Sequence, residues 1–410
     1  MRSRIGVSAV AVGLILTVVG VTSRADDSES GTVTRSPETR VVEAEQEFGF
    51  QLLHRLAQSR ELENVMVSPF SIVLALAMTA NGAAADTLKG MKEAIGVDQV
   101  SLDTVNRAYR GLIPQVTSVD REVRFQSANS IWYRQGMEFE SSFLECNREF
   151  YGALVQPLDF ADPAAADRIN HWVSEATHDH VPTMIDKIDP LSAMFLLNAV
   201  YFKGWWQDAF DPDQTREAPF TRADGSTTSC QMMGRTGSYR FVETERFQAV
   251  ELPYRDGRFT MVVVLPQKTW SLKELRHDVN SHWWARLLES LSNEEGTLEL
   301  PRCTLRCTFE LNDALDALGM GVALAPGADF SRMYRGPDSL YISKVKHKTF
   351  MCIDEEGTEA AAATSVEMRC TAMPPSFAMR VDRPFLCCVR DTESGLILFA
   401  GQVTDPSASS

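Results

Sequence analysis

Ser68, Ser71, Asn198 and His347 are residue types from which a hydrolase site is built: a hydroxyl nucleophile, an imidazole base and a polar amide. Their settings argue against that use. No Gly-x-Ser-x-Gly turn accompanies either serine, and His347 lies in Lys346-His347-Lys348 with no acid beside it. Ser68 stands directly before Pro69 and is explained as a helix N-cap. The run His178-Asp179-His180 has the residue types of a metal site, but no further ligands stand at useful spacing, and no metal is expected.

A different kind of chemistry is written in Glu355-Glu356-Gly357-Thr358-Glu359-Ala360-Ala361-Ala362-Ala363-Thr364. Taken alone, an alanine-rich acidic stretch reads as a solvated helix. The alternation from Thr358 onward favours a strand. One set is Thr358, Ala360, Ala362, Thr364, Val366 and Met368, and the other is Glu359, Ala361, Ala363, Ser365 and Glu367. One face is small and then apolar, while the other is polar at both ends. No Gly or Pro interrupts the segment from Thr358 until Pro374, so every backbone N–H could join a ladder. This is a strand without a sheet.

The elements that must position it come from the rest of the 410 residues. An apolar fraction of 44% with 23% charged residues describes a globular chain with a sizeable core. A net charge of −15 argues against nucleic acid and anionic membrane partners, both of which need a positive footprint. Arg2 and Arg4, the apolar run Ile5 to Val21 and Ser23-Arg24-Ala25 read as a signal peptide at 1–25 cleaved before Asp26, the alternative being an uncleaved membrane anchor. Either way the protein lies outside the cytoplasm, secreted, periplasmic or on the cell exterior. A Ser/Thr/Asp-rich flexible leader is expected at 26–38.

The eight cysteines do not form an obvious disulfide framework. Cys303, Leu305, Cys307 and Phe309 alternate with Arg302, Thr304, Arg306 and Thr308, so the two thiols share the inner face of a strand, roughly 13 Å apart and too distant to bond. Cys387 and Cys388 are adjacent, and mostly free thiols are expected.

Val41, Ala44, Phe48, Leu52 and Leu56 follow the spacing of an amphipathic helix. Ser68-Pro69 starts a second helix, apolar on nearly every side from Phe70 to Ala80, with Asn81-Gly82 expected as a left-handed stop. Strand-like runs come later at Phe125 to Trp132, Leu196 to Phe202, Phe259 to Leu265 and Pro384 to Phe399. Without internal repeats or an interior linker, one mixed domain over 39–407 is the economical reading.

Several of these segments, in order, resemble the serpins. They include Asn64-Val65-Met66-Val67-Ser68-Pro69-Phe70-Ser71 with Gly82 and Thr87, and Ile169-Asn170 with Trp172-Val173. They continue with Asn198-Ala199-Val200-Tyr201-Phe202-Lys203-Gly204-Trp205-Trp206, Glu251-Leu252-Pro253-Tyr254, Leu318-Gly319-Met320, Ala328-Asp329-Phe330-Ser331, Arg383-Pro384-Phe385 and Leu398-Phe399-Ala400-Gly401. The likeness runs from about Val41 to Pro406. It implies an α+β serpin fold: a single large domain with a central, mostly antiparallel β-sheet, further sheets, surrounding helices and an exposed reactive-centre loop at about 355–377. Leu324, where an aromatic is common, and the stretch Pro374 to Pro384 depart from the family pattern.

The resemblance also implies a mechanism. A serine or cysteine protease cuts the loop, and residues 355–364, the hinge, zip into the central sheet before the acyl ester is hydrolysed, so the protein is an inhibitor and not an enzyme. Ser68, Ser71, Asn198 and His347 match the shutter beneath the parting strands, and Trp206 matches the breach where the loop enters. Fourteen residues after Gly357 the family's scissile bond falls at Thr371 and Ala372, suiting an elastase-like or subtilisin-like protease. Two residues earlier, Arg369 and Cys370 would suit a trypsin-like one. Cys370 is read as a tolerated small residue, with thiol modification as an off-switch the rival reading. A monomer without cofactor is implied, and the region Ser101 to Gln115, with only Arg107 and Arg110, offers no basic helix for a heparin-like activator. The rival of another class is a non-inhibitory serpin acting as a binding, carrier or chaperone-like protein, whose usual sign, a hinge spoiled by bulky, charged or proline residues, is missing here.

Overall fold

In the computed structural model, which describes residues 36–117, 123–255, 257–337, 339–358 and 376–408, Ser36 caps the first helix, α1 (Pro37–Gln58), accepting from the Thr39 N–H at 3.2 Å. Pro37 and Glu38, expected in the leader, form its first turn, because a serine followed by proline satisfies the free amides and presets φ. Val41, Ala44, Phe48, Leu52 and Leu56 are all buried along one stripe.

Strand β1 (Val65–Val67) leads to Ser68, whose Oγ accepts from the Ser71 N–H at the start of α2 (Pro69–Ala80). A helix apolar on nearly every side must be covered almost all round, and every residue of α2 except Ala75 is buried. Its end corrects the expected left-handed stop: Asn81 is right-handed at φ −61, and Gly82 is not among the positive-φ glycines. Gly82 is small for another reason, since a Cβ there would meet Met333 at 2.3 Å.

Helices α3 (Ala85–Ala94) and α4 (Leu102–Thr117) precede β2 (Val123–Arg134), followed by α5 (Ser141–Tyr151), β3 (Leu154–Leu158), α6 (Ala165–Ala176) and β4 (Met194–Trp205). Next come β5 (Arg216–Thr221), β6 (Thr227–Glu243), β7 (Phe247–Pro253), β8 (Phe259–Pro266), α7 (Leu272–Asp278) and α8 (Ser281–Ser290). The chain continues with β9 (Ser292–Pro301), β10 (Cys303–Glu310), β11 (Lys346–Ile353), β12 (Gly357–Thr358), β13 (Phe377–Arg380), β14 (Phe385–Asp391) and β15 (Ile397–Val403). The apolar run Pro384 to Phe399, read as one strand-like stretch, is thus the hairpin β14 and β15, paired antiparallel.

The strands form a nine-stranded sheet (β1-β15-β14-β8-β7-β6-β9-β13, with β5 on β6), a four-stranded sheet (β12-β4-β2-β3) and the pair β10-β11. Phe202 on β4 packs against Tyr254, Phe259 and Phe399 at 4.9, 5.9 and 6.4 Å between ring centres, so the core runs unbroken from the four-stranded to the nine-stranded sheet. The alternation along β10 is as expected: Cys303, Leu305, Cys307 and Phe309 are buried.

Candidate functional site

β4 and β11 lie side by side, yet among the described residues no ladder joins them. Each is satisfied on its other edge, β4 by β2 and β11 by β10. Below Gly204 the result is a slit between two inner strand edges that share no ladder among the described residues, where backbone N–H and C=O groups form a template for one more strand.

The chain itself turns into the top of this slit. Beyond β11, Asp354 closes a tight turn: its N–H donates to the Gly357 carbonyl at 3.0 Å, and its Oδ1 accepts from the Glu356 and Gly357 N–H groups at 3.0 and 3.2 Å. The chain reverses and pairs antiparallel with β4, Gly357 opposite Trp205 and Thr358 opposite Gly204. Gly357 permits this approach, because a Cβ would lie 2.1 Å from the Gly204 carbonyl oxygen. Thr358 points inward, 2% exposed, with its hydroxyl 2.8 Å from that of Tyr254.

Trp206 fastens the turn from the β4 side. Its indole N–H donates to the Asp354 carbonyl at 2.9 Å, its backbone N–H donates to the Glu356 carbonyl at 2.8 Å, and its ring stacks on Tyr254 at 4.6 Å. Glu355 is held by Arg302 at 2.5–3.1 Å and by the Thr215 hydroxyl at 2.7 Å. Burial pushes its carboxyl up, but the Thr215 hydroxyl and the guanidinium outweigh that and hold it below the usual carboxylate range. Tyr254 was legible only as part of Glu-Leu-Pro-Tyr, and nothing in the sequence pointed to Arg302 or Thr215.

Lower in the slit, the Ser68 N–H donates to His347 Nε2 at 3.0 Å. Burial depresses the imidazole to about 4, so at neutral pH the ring is uncharged with its proton on Nδ1. Ser68, Ser71 and His347 are therefore one cluster under β11, and none of these bonds resembles an activated nucleophile. Asn198, on β4, is not part of it. Its amide donates to Ser127 Oγ at 2.9 Å and Asn129 Oδ1 at 2.6 Å, leaving its own Oδ1 buried without a partner.

Glu359 to Thr364 of the expected hinge and the candidate bond residues Arg369, Cys370, Thr371 and Ala372 lie outside the described residues, as do 1–25 and 26–35. The seven described cysteines are free thiols. Among the described residues no group of three or more His, Cys, Asp or Glu side chains could hold a metal, and no helix is long and apolar enough to cross a membrane.

Comparison with known proteins gives this geometry its relatives. The family model described as Serpin (serine protease inhibitor) matches residues 43–406. Antithrombin-III of Homo sapiens is 31% identical, the alignment covering 93% of this chain and 86% of that one. Among solved structures, the thermophilic serpin tengpin in its native state superposes with a TM-score of 0.82 at 28% identity, over 94% of this chain and 96% of the other. Human thyroxine-binding globulin complexed with thyroxine gives 0.84 at 25% identity, over 91% and 100%.

Proposed function

The chain belongs to the serpin family, and on that premise we propose that it is a suicide-substrate inhibitor of a serine or cysteine protease, acting by loop cleavage, acyl-enzyme trapping and insertion of the hinge between β4 and β11. The observation that carries this reading is β12. Gly357 and Thr358 already pair with β4 at the top of the slit, so insertion would extend a ladder that has started.

If insertion carries on in the register of β12, the later hinge residues would land as follows. Continuing past Thr358 opposite Gly204 puts Ala360 opposite Phe202, Ala362 opposite Val200 and Thr364 opposite Asn198. On the other edge, continuing the Asp354–Gly357 turn puts Thr364 opposite His347. The small set would then face the core, where Phe202 is already buried, and Thr364 would supply a hydroxyl to the unpartnered Asn198 Oδ1. Glu359 would fall opposite Lys203 on the outer face. On this reading Ser68, Ser71, His347 and Asn198 form the shutter from the two sides of the slit, and Trp206 guards the breach.

An inserted strand of about eleven residues adds on the order of ten backbone hydrogen bonds at ~1 kcal/mol each, a scale that can distort a captured enzyme. The native state persists because the barrier to insertion is high, not because it is the most stable form. Thyroxine-binding globulin shares the architecture, so the fold alone does not require inhibition. The alternative is a non-inhibitory carrier or binding protein. The small, uncharged residues Ala360 and Ala362 favour the inhibitor, because a buried charge or a proline there would obstruct the ladder.

The bond Thr371–Ala372 suits an elastase-like or subtilisin-like target, with Arg369–Cys370 and a trypsin-like target as the alternative. The protein acts as an exported monomer without cofactor, and sequencing of the exported form should start at Asp26. Insertion itself is tested by cleaving the loop and melting the product. The midpoint should rise by roughly 20 °C, and an unchanged or lower midpoint would count against insertion.

A further inference from the structure

The outer side of the slit carries a strap that the inhibitory cycle does not explain. Residues 177–193 leave α6 and cross to the start of β4. The strap is pinned to α6 by Asn170, whose Oδ1 accepts from the Met184 and Ile185 N–H groups at 2.8 and 2.9 Å and whose amide donates to the Ile185 carbonyl at 2.7 Å. His178 meets Gln126 of β2 at 2.8 Å through Nε2, and its ring lies 4.5 Å from Tyr201 of β4. On the far side of the slit, Lys348 of β11 donates to the Thr183 carbonyl and Lys346 pairs with Asp186 at 2.8 Å.

His180 spans the gap. Its ring stacks on Phe350 of β11 at 4.4 Å and 21°, and on Tyr201 of β4 at 5.7 Å and 17°. Two strands that share no ladder are thus joined through one imidazole. The backbone is bent to place it: His178 and Asp179 adopt φ of 47° and 68°, a region costly for residues other than glycine. A hydrogen bond from Ser174 to Asp179 Oδ1 at 2.6 Å helps to hold the bend.

We propose that His180 is the lock of this strap, clasping β4 to β11 and setting the rate at which the slit admits a strand. The inference rests on the insertion reading above and adds its regulation. Extended from β12, the register would bring Ala361 of an entering strand opposite both Tyr201 and Phe350, the two rings on which the imidazole stacks. A strand can thread between the two edges only if they part beyond the spacing this clasp sets, and His180 can then keep at most one of its two stacks.

The test uses the full-length protein and a synthetic peptide with the sequence of Thr358 to Met368, whose uptake is followed by native electrophoresis. No protease is involved. Losing one stack is worth about tenfold in rate, so His180→Ala should take up peptide about tenfold faster than wild type, while His180→Phe, which keeps a stacking ring, should stay within about twofold. Matching far-UV dichroism and melting curves before peptide addition show that the variants fold. Equal rates for wild type and His180→Ala would overturn the clasp and leave insertion standing, and so would a His180→Phe as fast as the alanine variant. No uptake by any of the three proteins would overturn the insertion reading, and the clasp with it.

Discussion

The hydroxyl of Tyr254 lies 2.8 Å from that of Thr358, inside the core and beneath the point where β12 pairs with β4. Tyr254 also stacks on Trp206, which holds the turn at Asp354 to Gly357. One buried side chain therefore supports the start of the ladder from below and the turn from the side.

Tyr254→Phe keeps the ring and removes only the hydroxyl bond, worth about 1 kcal/mol. The expected outcome is faster hydrogen exchange at the Gly357 and Thr358 amides, by about fivefold, with the global melting midpoint nearly unchanged. Unaltered exchange at both amides would show that this bond does not hold the hinge.

Gly357 is where a side chain cannot be accommodated. A Cβ would stand 2.1 Å from the Gly204 carbonyl oxygen and 2.7 Å from the Trp205 Cα, both backbone atoms that cannot swing away. Gly357→Ala should displace β12 from β4 and cost roughly 1–3 kcal/mol, read as a lower urea midpoint. A variant as stable as wild type would mean the pairing is dispensable.

Ala360 would arrive opposite Phe202 in the core, where an arginine would be buried without a partner at a cost of several kcal/mol. Ala360→Arg should leave cleavage by the target protease intact and raise the number of inhibitor molecules consumed per enzyme inactivated at least tenfold. Glu359→Arg, on the outer face, should change that ratio far less. Equal effects at the two positions would contradict the register.

His347 should make the native state acid-sensitive. Its folded value of about 4 lies below the ordinary imidazole value of 6.5, so between these limits the unfolded chain binds a proton that the folded chain does not. Stability therefore falls as pH drops from 6.5 towards 4, by an amount on the order of 3 kcal/mol. Protonation of Nε2 would also break the Ser68 bond. Urea unfolding at pH 7.5 and pH 5 should show a pH dependence in wild type that is reduced in His347→Gln; equal dependence would remove His347 as its source.

Local physics made part of this legible in the sequence. Ser68-Pro69 and the apolar run after it specify a capped, buried helix with no tertiary information, and the alternation around Cys303 specifies its inner face. Positions set by distant partners were not legible. Arg302 meets Glu355 across 53 residues and Thr215 meets it across 140, and no periodicity encodes either. Gly82 shows the same limit, since turn chemistry suggested a left-handed stop and the cause is instead the close approach of Met333. The alternation from Thr358 onward could be read from the residues, whereas the turn at Asp354 that brings Gly357 opposite Trp205 depends on partners distant in sequence.

The most direct test of the central claim is incubation of the purified protein with an elastase-like and a trypsin-like protease, followed by denaturing electrophoresis and mass analysis of the released C-terminal peptide. Trapping predicts a band that survives boiling in detergent at the summed mass of protease and loop-cleaved inhibitor, with a peptide beginning at Ala372, or at Cys370 if Arg369 is the residue recognised. Complete cleavage by both enzymes with no such band would contradict trapping and leave a serpin that is cut without capturing what cuts it.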